Sequence, residues 1–435
     1  MSTLKAVRGT RDLLPSETAL WNRIEATARA VFARYNFGEI RTPIFEDTAL
    51  FARGVGEETD IVSKEMYTWE DRARAASEKP QSLTLRPENT AGVVRAYIEH
   101  KLGETGQLQK LYYIGPQFRR ERPQKGRYRQ FSQIGAEVIG PPSSGSESPL
   151  RDAEVLEMLA TLLDELGITG WTLDINSVGS SADRARYNEA LRAVLVDLAP
   201  RMCTDCQRRA VTNPLRVLDC KVPEDQPIIE TLPKIVDSLD EASKAHFAAV
   251  TAALDAAGVP YTRNHRLVRG LDYYTRTTFE FTHGGLGAQN ALLGGGRYDG
   301  LSEAIGGPKA PGIGFAMGED RLVLTLLAQL ATQAEKMDAY IAPLGENLNA
   351  AALALARELR RAGLSAELGD GSFRLKKSFE AADKVARRIV ILGEDELQSG
   401  ILTVKDFATG AQTKVPRANL ASELAGYPQK PTSES

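Results

Sequence analysis

Cysteine is scarce in this chain, three among 435 residues. That excludes a disulfide framework and makes a reducing compartment the expected setting. No apolar run approaches the roughly 18 residues of a bilayer span, and the opening MSTLKAVRGTRD has no apolar signal core. A cytoplasmic location with no membrane partner is the expectation. Strong charge of one sign is missing too, with a net charge of -3. Any polyanionic partner must therefore be met by local basic clusters. Three signatures are absent: G-x-x-x-x-G-K-[ST], a well-placed G-x-G-x-x-G and H-E-x-x-H. What is present is ordinary globular composition, 42% hydrophobic and 26% charged, over a length that calls for two or three domains.

Glycine placement divides the chain. None occurs from Ser180 to Ala257, whereas 13 of the 37 lie between Gly270 and Gly318. The first stretch reads as a helical insertion, 180–258, with amphipathic segments at 183–199 and 233–257. The second reads as sheet where backbone must come close to something. Ahead of them, 16–35 has helical apolar spacing with Ser16 as N-cap candidate, and Phe37 to Ile44 is strand-like. The stretch 107–139 alternates on both sides of a charged loop, as a long hairpin does, and Asp152 is the cap candidate for a helix to about Leu166. Beyond Ala331 short strands alternate with helices around Leu348/Ala352/Leu355/Leu359 and at 372–386. This predicts a small α/β domain, 332–425, followed by a disordered tail, 426–435.

Several constellations bear chemistry. The hairpin loop 119–129 (RRERPQKGRYR) carries six basic residues and one acidic, a local +5 that repels itself unless an anion neutralises it; a solvated turn is the bland alternative. On the returning strand, alternation puts Arg129, Phe131, Gln133, Gly135 and Glu137 on one face and Ile134, Ala136 and Val138 on a core face. A cation, a ring, an amide, a bare position and a carboxylate suit a polar ligand with an aromatic part, the glycine leaving room for it. The segment 267–276 (LVRGLDYYTR) precedes a strand at 277–281; strand geometry sends the side chains of Tyr273 and Tyr274 to opposite faces, so one hydroxyl enters a given pocket. Gly294 to Gly296 offer three bare positions. Arg321 stands in the first turn of a helix starting near Gly318, a position whose dipole conflict a bound phosphate or nucleotide would remove.

Cys203, Cys206 and Cys220 could supply three zinc ligands, but no histidine within that stretch makes a fourth; His246 and His265 are farther along. Reduced, packed thiols are the expectation, and no metal site is assigned. His100 and His283 have no local partner and read as structural or surface residues. In the C-terminal domain Arg374, Lys376, Lys377, Lys384, Arg387 and Arg388 face Glu380 and Asp383, +4 within 15 residues. Such a patch could follow an RNA backbone or be a solvated face.

In order, these residues resemble the histidyl-tRNA synthetases, which are class II aminoacyl-tRNA synthetases, from Val7 to about Leu424. Phe37-Gly38-Glu39-Ile40-Arg41-Thr42-Pro43 resembles motif 1, the dimer interface of the family; Phe118–Glu137 resembles motif 2 and Gly312–Leu322 motif 3. More specific are 267–274 (LVRGLDYY) and 293–301 (LGGGRYDGL), similar to two peptides peculiar to the histidine enzymes. The resemblance implies an α+β catalytic domain, 1–331, with a mainly antiparallel sheet flanked by helices, the helical insertion, and a C-terminal α/β anticodon-binding domain. It implies ligation of L-histidine to its tRNA through a histidyl-adenylate, with ATP and Mg²⁺, by a homodimer.

The implied roles are these. Glu88, Asn89 and Thr90 with Gln133 would hold the histidine α-amino group, and Glu137 with a tyrosine of the Tyr273-Tyr274 pair would read the two imidazole nitrogens. Arg119 and Arg269 would contact the bound histidine as well and act on the α-phosphate. Glu121 and Arg127 would lie near the adenine and γ-phosphate, and Phe131 and Arg321 would sandwich the adenine. The motif 2 loop and insertion would meet the acceptor stem, and the C-terminal domain the anticodon. The alternative is the family's non-catalytic paralogue, a histidine-sensing regulatory subunit of ATP phosphoribosyltransferase. Such paralogues generally lack the C-terminal domain and the full arginine set, whereas Arg119, Arg269 and Arg321 are all present here.

Overall fold

Trp21, Ile24, Ala28, Val31 and Phe32 recur every three or four residues and make one buried face of the helix Pro15–Arg34. The helix opens at Pro15, with Leu14 at the N-cap and no side-chain cap, rather than at Ser16. Proline at the first helical position presets the backbone and needs no donor there, which overrides the expected serine cap. The helix Pro149–Leu166 repeats this, with Ser148 capping and Asp152 inside the first turn.

A computed structural model describes residues 3–56, 59–71, 80–124, 126–286, 290–329 and 336–425. The chain forms two compact units, Met1–Ala331 and Thr332–Ser435. Unit one is built on an eight-stranded sheet. Its order is Gly38–Glu39, Gln109–Phe118, Gln130–Ile139, Gly312–Gly318, Ala291–Arg297, Thr275–His283, Trp171–Ser177 and Thr262–Arg263. The outermost pair at each edge is parallel, and all pairs between are antiparallel. The fold is therefore α+β with a mainly antiparallel sheet, as the sequence led one to expect.

One sheet face is core. Ile134, Ala136 and Val138 join Ile313, Phe315 and Met317 there, under Leu156, Leu159 and Leu163 of the helix Pro149–Leu166. The cross-strand register is tight: Ile313 faces Val138 and Met317 faces Ile134. On the other face Gly314 lies opposite Glu137, Ala316 opposite Gly135 and Gly318 opposite Gln133. Period-two alternation thus delivers one strand's polar set to one side of the sheet.

The expected insertion, 180–258, contains two packing groups. Tyr187, Leu191, Leu195, Cys206, Val217, Ile229, Ile235 and Leu239 form a core of their own, which also takes in Tyr274. The helix Glu241–Ala257 instead places Val250 and Leu254 in the main core. It starts eight residues later than the amphipathic pattern at 233 implied, with Asp240 as its cap.

The second unit is a five-stranded sheet, order Ala366–Leu368, Ala339–Pro343, Arg388–Leu392, Ile401–Asp406 and Gln412–Pro416. Helices Asn349–Arg361, Leu375–Val385, Glu394–Ser399 and Leu420–Ala425 accompany it among the described residues. Arg388 is no part of an exposed basic face: it is buried, paired with Asp406 at 3.0 Å and donating to the Leu424 carbonyl at 3.0 Å. The expected tail 426–435 lies outside the described residues. No helix among the described residues is long and apolar enough to cross a membrane.

Candidate active site

Glu137 is fully buried on the sheet's polar face, on the strand Gln130–Ile139. Thr90 Oγ1 donates to one carboxylate oxygen and Tyr298 Oη to the other, both at 2.7 Å. Burial pushes its pKa up to about 8, against the pull of the two hydroxyls. Glu88 stands at the N-terminus of the helix Thr90–Glu99, where its carboxylate accepts the amides of Thr90 at 2.7 Å and Ala91 at 3.0 Å. Those amides are the unpaired donors that every helix start presents. Burial raises the Glu88 pKa, opposed by the same amides.

These groups line an inner pocket together with Tyr113, Arg119, Gln133, Arg269, Tyr273, Tyr274 and Tyr298. Both tyrosines of the 273–274 pair line it, their rings 4.7 Å apart. This corrects the expectation of one facing tyrosine: the strand begins only at Thr275, and the pair occupies the preceding turn, where alternation does not apply. Asn89 is the exception among the expected histidine contacts. Its amide oxygen accepts from Thr42 Oγ1 at 2.6 Å and it lines no part of the pocket, because the helix start turns it toward the 37–43 segment. Gln133 keeps a buried amide oxygen without a hydrogen-bond partner among the described residues, a waiting acceptor for a cationic group.

An outer compartment adjoins, lined by Arg119, Glu121, Arg127, Phe131, Gln133, Arg269, Glu280, Asp320 and Arg321. Arg119, Gln133 and Arg269 belong to both compartments. Glu121 lies between Arg119 at 3.8 Å and Arg127 at 3.3 Å, so part of the loop's positive charge is met within the loop. Arg119 donates through Nε to the Pro87 carbonyl at 2.9 Å and lies 5.3 Å over the Phe131 ring. Arg269 is set by Glu280 at 2.5 Å. Arg321 lines the far wall and donates to the Ala291 carbonyl. Arg129, expected on the same face, turns instead to the N-terminal segment and donates to the Arg8 carbonyl at 3.3 Å.

The glycines make room for the site's own side chains, not directly for a ligand. A Cβ on Gly314 would collide with the Glu137 carboxylate, and one on Gly294 would lie 2.5 Å from Arg269 Nη1. The same holds for Gly296 against Tyr274. Tyr298, Tyr113 and Glu280 were not singled out from sequence. Tyr298 was findable, since it continues the alternation of Gly294 and Gly296 within 293–301; Glu280 was hidden because its importance lies in Arg269, eleven residues away. Likewise Asp152 serves not as a cap but as partner to the fully buried Arg297 at 2.5 Å.

Comparison with known proteins decides the family. The family model described as Histidyl-tRNA synthetase matches residues 9–322, and one described as Anticodon binding domain matches 338–426. The chain belongs to the histidyl-tRNA synthetase family. A histidine--tRNA ligase of Koribacter versatilis is 72% identical over 430 residues, 99% of this chain and 98% of that protein. One of Solibacter usitatus is 57% identical, over 97% of this chain and 99% of its own length. Among solved structures, apo histidyl-tRNA synthetase of S. aureus superposes with a TM-score of 0.78 at 38% identity, covering 97% of this chain and all of that one. The synthetase family thus accounts for both units, and the regulatory-subunit alternative is not favoured.

Proposed function

We infer that the chain is a histidine--tRNA ligase, activating L-histidine with ATP and passing it to tRNA. The observation that carries the chemistry is the sharing of Arg119, Gln133 and Arg269 by the inner and outer compartments. An amino acid held within and a nucleotide held without would meet at those two guanidinium groups. Gln133 and Glu88 receive the α-ammonium group. Glu137 and the tyrosine hydroxyls address the imidazole, whose neutral ring offers one donor and one acceptor. A side chain lacking either nitrogen leaves buried polar groups unpaired and is rejected.

A carboxylate oxygen of histidine attacks the α-phosphorus. The new oxygen–phosphorus bond forms as the bond to the bridging oxygen breaks, releasing pyrophosphate. Negative charge grows on the phosphoryl oxygens, where Arg119 and Arg269 stabilise it without moving a proton. Mg²⁺ bound to the nucleotide would supply further positive charge against its phosphates. Phe131 and Arg321 flank the adenine, with Glu121 and Arg127 beside the nucleotide. A ribose hydroxyl of tRNA then attacks the activated carbonyl and AMP departs, while the C-terminal unit reads the anticodon.

A homodimer is part of this reading. Ile44, Phe45 and Trp69 are exposed beside the 37–43 segment, with the Phe45 and Trp69 rings 6.0 Å apart. So is a cytoplasmic location, for which the free cysteines are the support. The deciding experiment is histidine-dependent ATP–pyrophosphate exchange beside the other nineteen amino acids. Exchange with histidine alone supports the synthetase reading; histidine binding without exchange favours a sensor.

A further inference from the structure

The three cysteines, 203, 206 and 220, converge in the insertion core, and a fourth group joins them that no sequence spacing had marked: Asp225. One ligand atom from each of the four lies within 4.8 Å of all the others. Cys203 Sγ and Cys220 Sγ are 3.9 Å apart, and the Cys220 thiol donates to Asp225 Oδ2 at 3.2 Å. Four ligands at zinc–sulfur distances of about 2.3 Å in a tetrahedron require sulfurs about 3.8 Å apart. We propose that Cys203, Cys206, Cys220 and Asp225 form a structural zinc site.

Two further features point to a cation. Backbone amides already point at two of the ligand groups: Val222 N donates to Cys220 Sγ at 3.4 Å, and Cys203 N donates to both Asp225 oxygens at 3.0 and 3.2 Å. Such outer donors hold ligands in orientation and stabilise thiolate. Secondly, Cys206, Cys220 and Asp225 are buried while Cys203 is partly exposed, which leaves an entry path beside Cys203. Without metal, the buried Asp225 carboxylate sits among the three sulfurs. Binding an ion there would release three protons as the thiols become thiolates. Three cysteine sulfurs and one carboxylate oxygen are all donor types that zinc takes, and four of them match its tetrahedral coordination. Four protein ligands close the coordination sphere, so the ion has no open position and no part in the chemistry of ligation.

The purpose of such a site follows from what lies between its ligands. The loop from Cys206 to Cys220 carries Asn213, Leu215 and Arg216, which line a small cavity with Arg269, Leu271 and Tyr274. Short helices and 3-10 turns make up this region. A core of that size gains from a staple. The ion fixes both ends of the loop that backs the Arg269–Tyr274 segment.

The test uses the full chain, purified without chelator, loaded with zinc sulfate and freed of loose metal by gel filtration. Inductively coupled plasma mass spectrometry should find about one zinc per chain, falling roughly tenfold or more in Cys220→Ser. Because that variant could unfold, the isosteric Asp225→Asn is measured too. It keeps three thiols and should lose zinc to a colorimetric chelator at roughly tenfold lower chelator concentration or less. In the wild type, stripping the metal should lower the melting temperature. A zinc-free loaded protein, with three thiols titrating after unfolding, would overturn the proposal. A Cys203–Cys220 disulfide, or iron in place of zinc, would overturn it too, and equal retention by Asp225→Asn would remove the fourth ligand.

Discussion

Glu137 holds a proton in the folded chain up to about 8 because it is fully buried, while the same group exposed would release it near 4.5. Between those values the native state binds more protons than the unfolded one, so unfolding free energy falls as pH rises through the window. Glu137→Gln removes this titration. The ligand-free variant should show a flatter stability–pH profile between about pH 4.5 and 8, by an amount on the order of a few kcal/mol across the window. Denaturant titrations at several pH values read it, and parallel profiles would refute the assignment. Arg269 supports the other half of the site. Arg269→Ala should lower histidine-dependent pyrophosphate exchange by about 10² to 10³, the usual loss for one preorganised charge donor, and leave histidine affinity within about fivefold. Near-normal exchange would remove Arg269 from the phosphate.

At the scale of the element, the hairpin and the strand Gly312–Gly318 together build the pocket, and register is what makes them work. Gly314 faces Glu137 across the ladder, and its missing Cβ is the space the carboxylate occupies. Its backbone is not in the left-handed region, but a Cβ would also lie 2.7 Å from the Ala136 carbonyl oxygen, so Gly314→Ala should fold with a lowered melting temperature, the overpacking costing about 1–3 kcal/mol. The added methyl should still displace Glu137 and raise KM for histidine about tenfold or more. An unchanged KM would show that Glu137 does not contact the imidazole. The alternation that set Gln133 and Glu137 on one face was legible in the sequence, because a period of two is local and the core face beside it is wholly apolar. Tyr273 and Tyr274 were misplaced because a turn obeys no such period. Arg297 with Asp152, and Cys220 with Asp225, needed the folded chain, the first because its partners stand 145 residues apart. The second pair is five residues apart, yet an aspartate carries no mark that distinguishes a ligand from a surface charge.

For the molecule as a whole, two predictions concern its larger parts. If the exposed Phe45 lies in a dimer contact, Phe45→Glu should shift sedimentation from dimer to monomer while far-ultraviolet circular dichroism stays the same; a monomeric wild type would end that reading. The division of labour between the units is the broader claim. Every residue assigned to histidine or nucleotide lies within Met1–Ala331, and the second unit has its own sheet and its own core. Nothing in the adenylate chemistry as derived draws on residues beyond 331. A chain ending at 331 should therefore retain pyrophosphate exchange within about threefold, while its kcat/KM for charging tRNA falls at least about tenfold, the equivalent of 1.4 kcal/mol of lost recognition. The asymmetry is the point of the measurement. Equal loss in both assays would mean that the first unit needs the second to hold its active site, and the reading of the C-terminal sheet as a separable anticodon reader would have to be given up.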